Sequence, residues 1–179
     1  MSRLRVRFNR EDLEQLSEHQ RAELHEGDLV MIPSPDPWHG KLTLDLASRL
    51  RELLGAGEAY RVLVAPVDVV VDDENVVQPD VLVLPEGTVV TKPRWEIPSP
   101  IWVAEVLSPK TAKRDRGIKL RIYRRAGVRE AWLVDPAPQT IEVHDLSARQ
   151  SRTYAAGASA ASAALQGFEV AVDDFFALP

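Results

Sequence analysis

The sequence predicts an α/β fold, a mixed β-sheet with helices on its faces, and two observations carry that reading. Residues 101–106 (Ile-Trp-Val-Ala-Glu-Val) are apolar on both faces, as a central strand of a covered sheet is. Helical and strand-like patterns also alternate along the chain in the order α, β, α, β-hairpin, β, α, β, β, the signature of packed layers. At 179 residues with 45% hydrophobic content, the chain suits a single domain, 1–179, with a full core.

The first helix is expected over residues 9–22, capped by Asn9, with Glu11, Asp12 and Glu14 in its first turn and Leu13 and Leu16 as a short apolar stripe. Glu23 to Asp28 then form a turn, and a strand starts at Leu29. Pro33, Pro35 and Pro37 forbid regular structure before a second helix over residues 38–54. Leu42, Leu46, Leu50, Leu53 and Leu54 recur there at helical spacing, and Gly55 and Gly57 end it. A hairpin follows, with arms 61–71 and 76–84 around Asp72-Asp73-Glu74-Asn75; Pro79 costs one arm a ladder bond and marks an edge or bulge. The proline-rich connector 85–100 leads to the central strand. Beyond it lie a helix over 112–126 ended by Gly127, strands 130–134 and 140–146, an alanine-rich loop 155–164, and a last strand at 168–172.

Composition narrows the function. No apolar run approaches the roughly 20 residues that span a bilayer, so no membrane partner is expected. No cysteine means no disulfide, thiol nucleophile or thiolate metal site, and a cytoplasmic location fits. His19, His25 and His144 show no zinc-ligand spacing. With 6% aromatic residues the chain is also poor in the platforms usual in sugar clefts, which disfavours a glycosidase using two acids. The net charge of −5 is unevenly spread. Lys110 to Arg129 holds nine basic residues and one acid, Asp115, so that segment carries +8 and the remainder −13. Such segregation allows a phosphate-binding surface on an acidic protein, although a solvated helix face would look the same.

Two acids stand out within the apolar strands. Alternation puts Glu105 on the face of Ile101, Val103 and Leu107, where an unpaired carboxylate is costly. Asp80 interrupts the apolar run 76–84. Metal-assisted phosphodiester cleavage needs hard oxygen ligands for Mg²⁺ or Mn²⁺, water activated by the ion, and a cation against the developing phosphate charge. Asp80 and Glu105 can supply the ligands. Lys119 can supply the cation, on a helix where Asp115, Lys119 and Tyr123 recur at i, i+4, i+8. A salt-bridged surface helix and a buried ion pair of Glu105 with Arg121 or Lys119 are the plainer alternatives. Trp102 and Trp132 fit packing better than base stacking.

In these residues the sequence resembles the Uma2 family of restriction-type endonucleases, within the PD-(D/E)XK nuclease superfamily. The likeness rests on Glu23-Leu24-His25-Glu26-Gly27, His39, Pro79-Asp80-Val81, Val103 to Pro109, Asp115, Lys119, Tyr123 and Gly127 to Pro136, and runs from about residue 8 to 146. It implies a restriction-endonuclease-like core and a Mg²⁺- or Mn²⁺-dependent endonuclease acting on nucleic acid, DNA first. It implies Asp80 and Glu105 as metal ligands and catalytic acids, with Glu23 from the first helix completing the shell and Glu26 its competitor. His39, Lys119 and Tyr123 complete the catalytic set. The superfamily lysine two residues after the strand acid is replaced by Leu107, so its role passes to Lys119, with Lys110 the runner-up. Lys110, Lys113, Arg114, Arg116 and Arg121 would follow the nucleic-acid backbone. A homodimer would supply two sites for two strands. A catalytically inactive module binding nucleic acid or protein on the same fold is the rival reading.

Overall fold

A computed structural model of the chain describes residues 6–16, 20–55, 61–88 and 97–177. Helix α1 (Arg10–Glu14) is short, opened by reciprocal bonds between Asn9 and Asp12. The longer helix expected over 9–22 does not form: Ala22–His25 is strand β1, every residue of which is buried, while residues 17–19, His19 among them, lie outside the described residues. Glu26 and Gly27 then turn the chain with φ of 50° and 78°, as a two-residue hairpin requires, into β2 (Asp28–Met31). Helix α2 (Pro37–Leu54) starts where the Asp36 side chain accepts the His39 N–H at 2.9 Å. It buries Leu42, Leu46 and Leu50, but Leu53 faces outward.

The expected hairpin is present with both arms broken. One arm gives β3 (Val62–Val64) and β4 (Val69–Asp72), the other β5 (Asn75–Val77) and β6 (Val81–Val83). Pro66 and Pro79, which lack an N–H for the ladder, stand at the two breaks. The tip of the hairpin thereby joins β1 and β2 in a four-stranded antiparallel sheet, ordered β2-β1-β5-β4. Its base stays in the main sheet, where β6 pairs with β7 (Trp102–Val106).

A basic helical run follows β7: α3 (Ala112–Arg114), a π-helical turn (Asp115–Lys119) and α4 (Leu120–Arg125). It crosses back to β8 (Glu130–Asp135), which lies parallel to β7. Then come β9 (Thr140–Asp145) and β10 (Gln150–Tyr154), completing a six-stranded mixed sheet ordered β10-β9-β8-β7-β6-β3. The alanine-rich stretch read as a loop contains a strand, β11 (Ser159–Ala161), paired with β12 (Glu169–Ala171) before α5 (Val172–Phe176).

The main sheet is covered on both faces. Trp102, Ala104, Val106 and Trp132 pack with α2, β11, β12 and α5. Val103, Leu82 and Ala131 pack with Ile122 and Tyr123 of the basic helix and with Val69 and Val77 of the second sheet. Trp102 and Trp132 are fully buried, so both are packing residues. Glu105 lies on the Val103 face, beneath the basic helix. No helix among the described residues is long and apolar enough to cross a membrane.

Candidate active site

Pro79 ends the β5 ladder and leaves Asp80 in the gap before β6. The β6–β7 register, Val81 opposite Ala104, sets Asp80 next to Glu105 across the strands. Asp80 Oδ2 accepts the Val106 N–H at 2.7 Å and meets His39 Nε2 of α2 at 3.1 Å. Asp80 is therefore fixed to the end of the central strand, and His39 is fixed to Asp80.

Glu105 is held from the other side. Lys119 Nζ stands 2.6 Å from its Oε1, and the Tyr123 hydroxyl donates to the same oxygen. Both partners come from the basic helix. Its π-helical turn is wider than an α turn and carries Asp115 and Lys119 inward, where both are buried. Lys119 also lies 2.9 Å from Glu23 Oε1 on β1. Glu23 is further tied by the Gln78 N–H at 2.6 Å and by His25 Nε2 at 2.9 Å, so both its oxygens are engaged. It reaches the site from a strand, not from the first helix as the sequence suggested. Its neighbour Glu26 faces Arg121 at 3.7 Å, outside the cleft.

Glu23, His39, Asp80, Glu105, Asp115 and Lys119 line one cleft of about 600 Å³. Charges of like sign crowd it. Burial pushes the Glu105 carboxyl well above the usual range; Lys119 opposes this, and the charges of Asp80, Asp115 and Glu23 add to it. Burial also raises the Asp115 carboxyl, against Lys119 and a hydrogen bond from Thr111. Glu23 goes the other way: despite burial, Lys119 and His25 bring it to about 2. Burial favours neutral Lys119, but Glu105, Glu23 and Asp115 outweigh it and keep the ammonium charged. His39 is raised because its hydrogen bond to Asp80 and the charge there overcome burial. Tyr123 is raised, first by burial and then by Glu105, and stays a donor.

Hard carboxylate oxygens of this kind suit Mg²⁺ or Mn²⁺. Among the described residues no group of three or more His, Asp or Glu side chains is disposed to hold a metal ion. Asp80 and Glu105 lie next to each other across the strands, and such ions are commonly held by one or two carboxylates with water and phosphate completing the shell. Glu23, Asp80, Glu105 and Asp115 line the cleft together with Lys119, His39, Arg21, Lys110 and Arg114, so acids and cations share it.

The basic residues singled out for nucleic acid separate into two groups. Lys110 and Arg114 line the cleft with the acids. Arg116 is held at 2.6 Å by both Asp135 and Glu142, and with Arg121 lines a different, smaller cleft. Lys113 is exposed and lines neither. Leu107, in the place of the superfamily lysine, is buried, with its N–H donating to Val134 at 2.8 Å. Sequence reasoning passed over Arg21, which lines the cleft, and His25, which braces Glu23. Both alternate with Glu23 along the chain, a signal that becomes legible once β1 is known to be a strand.

Comparison with known proteins follows the same lines. The sequence model of the Uma2 family, described as putative restriction endonuclease, matches residues 10–173. That match runs through β11 and β12, which the resemblance read from the sequence had left out beyond residue 146. The fold is similar to the crystal structure of a putative nuclease belonging to DUF820 from Anabaena variabilis ATCC 29413. The TM-score is 0.77 at 18% identity, over 92% of this chain and 94% of that one. No curated protein matches.

Proposed function

Because this chain belongs to the Uma2 family, we propose that it is a Mg²⁺- or Mn²⁺-dependent endonuclease hydrolysing phosphodiester bonds in DNA. One observation carries the reading: Asp80, just before β6, and Glu105 on β7 line one open cleft with an ammonium 2.6 Å from Glu105. Asp80 and Glu105 would hold the ion, which supplies Lewis acidity and a water of lowered pKa when bound. The chain's own residues prepare that place. Val106 N–H and His39 aim Asp80. Lys119 and Tyr123 orient Glu105, and Lys119 favours its ionised form. Glu23, braced by His25 and Gln78, fixes Lys119, so we assign it to positioning the ammonium. The ammonium would meet the charge that develops on the phosphate in the transition state, the role that Leu107 cannot fill. Lys110 and Arg114 hold the backbone at the cleft.

The test uses purified protein with plasmid, short duplex and single-stranded DNA, with and without Mn²⁺. Cleavage by the wild type that needs Mn²⁺ and disappears in Glu105→Ala supports the proposal. Equal cleavage by both proteins, or none with any substrate, overturns it.

A second reading has its own observation. Glu105 Oε1 already serves both Lys119 and Tyr123, an arrangement complete without an ion. A binding module on the same fold would show no Mn²⁺ heat by calorimetry and no change in melting temperature with Mn²⁺.

A further inference from the structure

The cleft is chemically divided. Ile32 from the loop after β2, Leu44 on α2 and Val64 at the end of β3 give it an apolar part. Leu44 is 66% and Val64 43% exposed, although both are large hydrophobic residues beside a cluster of charges. Arg21, Lys110 and Arg114 give it a cationic part. Arg21 lends one guanidinium nitrogen to Gln78 at 3.2 Å, while its Nε is buried without a hydrogen-bond partner. Lys119 cannot serve as the general phosphate anchor, because it is only 5% exposed and already holds two carboxylates.

A DNA duplex turns phosphates and sugars outward and keeps its bases stacked, so an apolar surface inside a charged cleft finds no partner on it. An unpaired nucleotide offers both chemistries at once, an apolar base face and an anionic phosphate. A volume of about 600 Å³ lies in the range of clefts that enclose a ligand. Resting on the nuclease reading above, we infer that the cleft takes an unpaired nucleotide of a single-stranded DNA segment. The base lies on Ile32, Leu44 and Val64, and the phosphate meets Arg21, Lys110 and Arg114.

Binding is measured separately from cleavage, by fluorescence anisotropy of labelled single-stranded DNA and of a blunt duplex of the same sequence, in EDTA. The wild type is expected to bind the single strand at least tenfold tighter. Leu44→Asp and Val64→Asp, both at exposed positions, are expected to erase that preference. Arg21→Gln is expected to weaken the single strand at least fivefold. Equal or tighter duplex binding by the wild type overturns the inference. So does unchanged binding by the two aspartate variants, or a dimer that Leu44→Asp dissociates without altering strand preference, which would make the patch an interface between copies. The two proposals fail separately. Mn²⁺-dependent cleavage of duplex alone keeps the nuclease and removes the unpaired nucleotide; strand preference without cleavage does the reverse.

Discussion

Two buried carboxylates on the adjacent parallel strands β7 and β8 meet opposite surroundings. Glu130 is 1% exposed and, among the described residues, accepts from neutral donors only: Trp102 Nε1 at 3.0 Å, Trp132 Nε1 at 2.7 Å, Ser162 Oγ at 2.6 Å and the Ala163 and Ala164 N–H groups. Its negative charge is spread over hydrogen bonds that tie the C-terminal segment to the sheet. Glu105, at 4% exposure, is bound by one ammonium and one phenol and is surrounded by three further acids. Burial of an acid in a strand is therefore not what marks a site. Like charges kept together beside an open cleft are the more telling sign, because their mutual repulsion has to be offset.

The largest expected difference is in activity. Glu105→Ala should reduce Mn²⁺-dependent cleavage by more than about 100-fold while shifting the melting temperature little, since repulsion from Asp80, Asp115 and Glu23 goes with it. Glu130→Ala should do the converse. Five donors lose their acceptor at a cost of roughly 3–5 kcal/mol, lowering the melting temperature by about 10 °C, with cleavage per folded molecule kept. Thermal melts and initial rates on both variants break the comparison if the two effects coincide.

Acid sharpens it next. A Glu23 carboxyl brought from 4.5 to about 2 contributes stability that is present above pH 4.5 and lost as pH falls toward 2, on the order of 3 kcal/mol. Glu105, raised by its surroundings, has the opposite sign: its contribution is present at low pH and declines as pH rises through its folded value. Chemical denaturation at pH 7 and pH 3 should therefore show a smaller acid loss in Glu23→Gln than in the wild type. A metal bound by Glu105, as proposed, competes there with a proton, so apparent Mn²⁺ affinity should fall up to about tenfold per pH unit on the acid side. Calorimetry in buffers of different ionisation heat would detect the released proton. The smallest effect belongs to Arg116→Ala. Its exposed pairing with Asp135 and Glu142 is worth less than about 1 kcal/mol, and cleavage should not change.

Much of this is legible in the sequence. Glu105 stood out as a charge in an apolar strand, and α2 announced itself by its leucine spacing and the terminal Gly55. Glu23 was read as the turn residue after a helix, because acids and leucines at 11–16 imitate an amphipathic one, and the family resemblance placed its role on that helix. Strand β1 has only four residues, and its turn uses Glu26 at positive φ, where Asn, Asp or Gly is the usual signal. The broken hairpin was half visible: Pro79 was noticed, whereas the break at Pro66 was not. Strand β11 is built of serine and alanine, which carry no strand propensity; its place comes from pairing with β12 and from the Glu130 bonds just beyond it. The division of the basic segment was invisible because it depends on Asp135 and Glu142, distant acids that capture Arg116.

The π-helical turn has a consequence for how this helix can vary. Its extra width sets the phase of everything after it, so removing one residue between Asp115 and Lys119 would restore a regular α-helical ladder and swing Tyr123 about 100° around the axis. A shortened helix would be the better helix and the poorer lever, unable to press an ammonium and a phenol on the same oxygen.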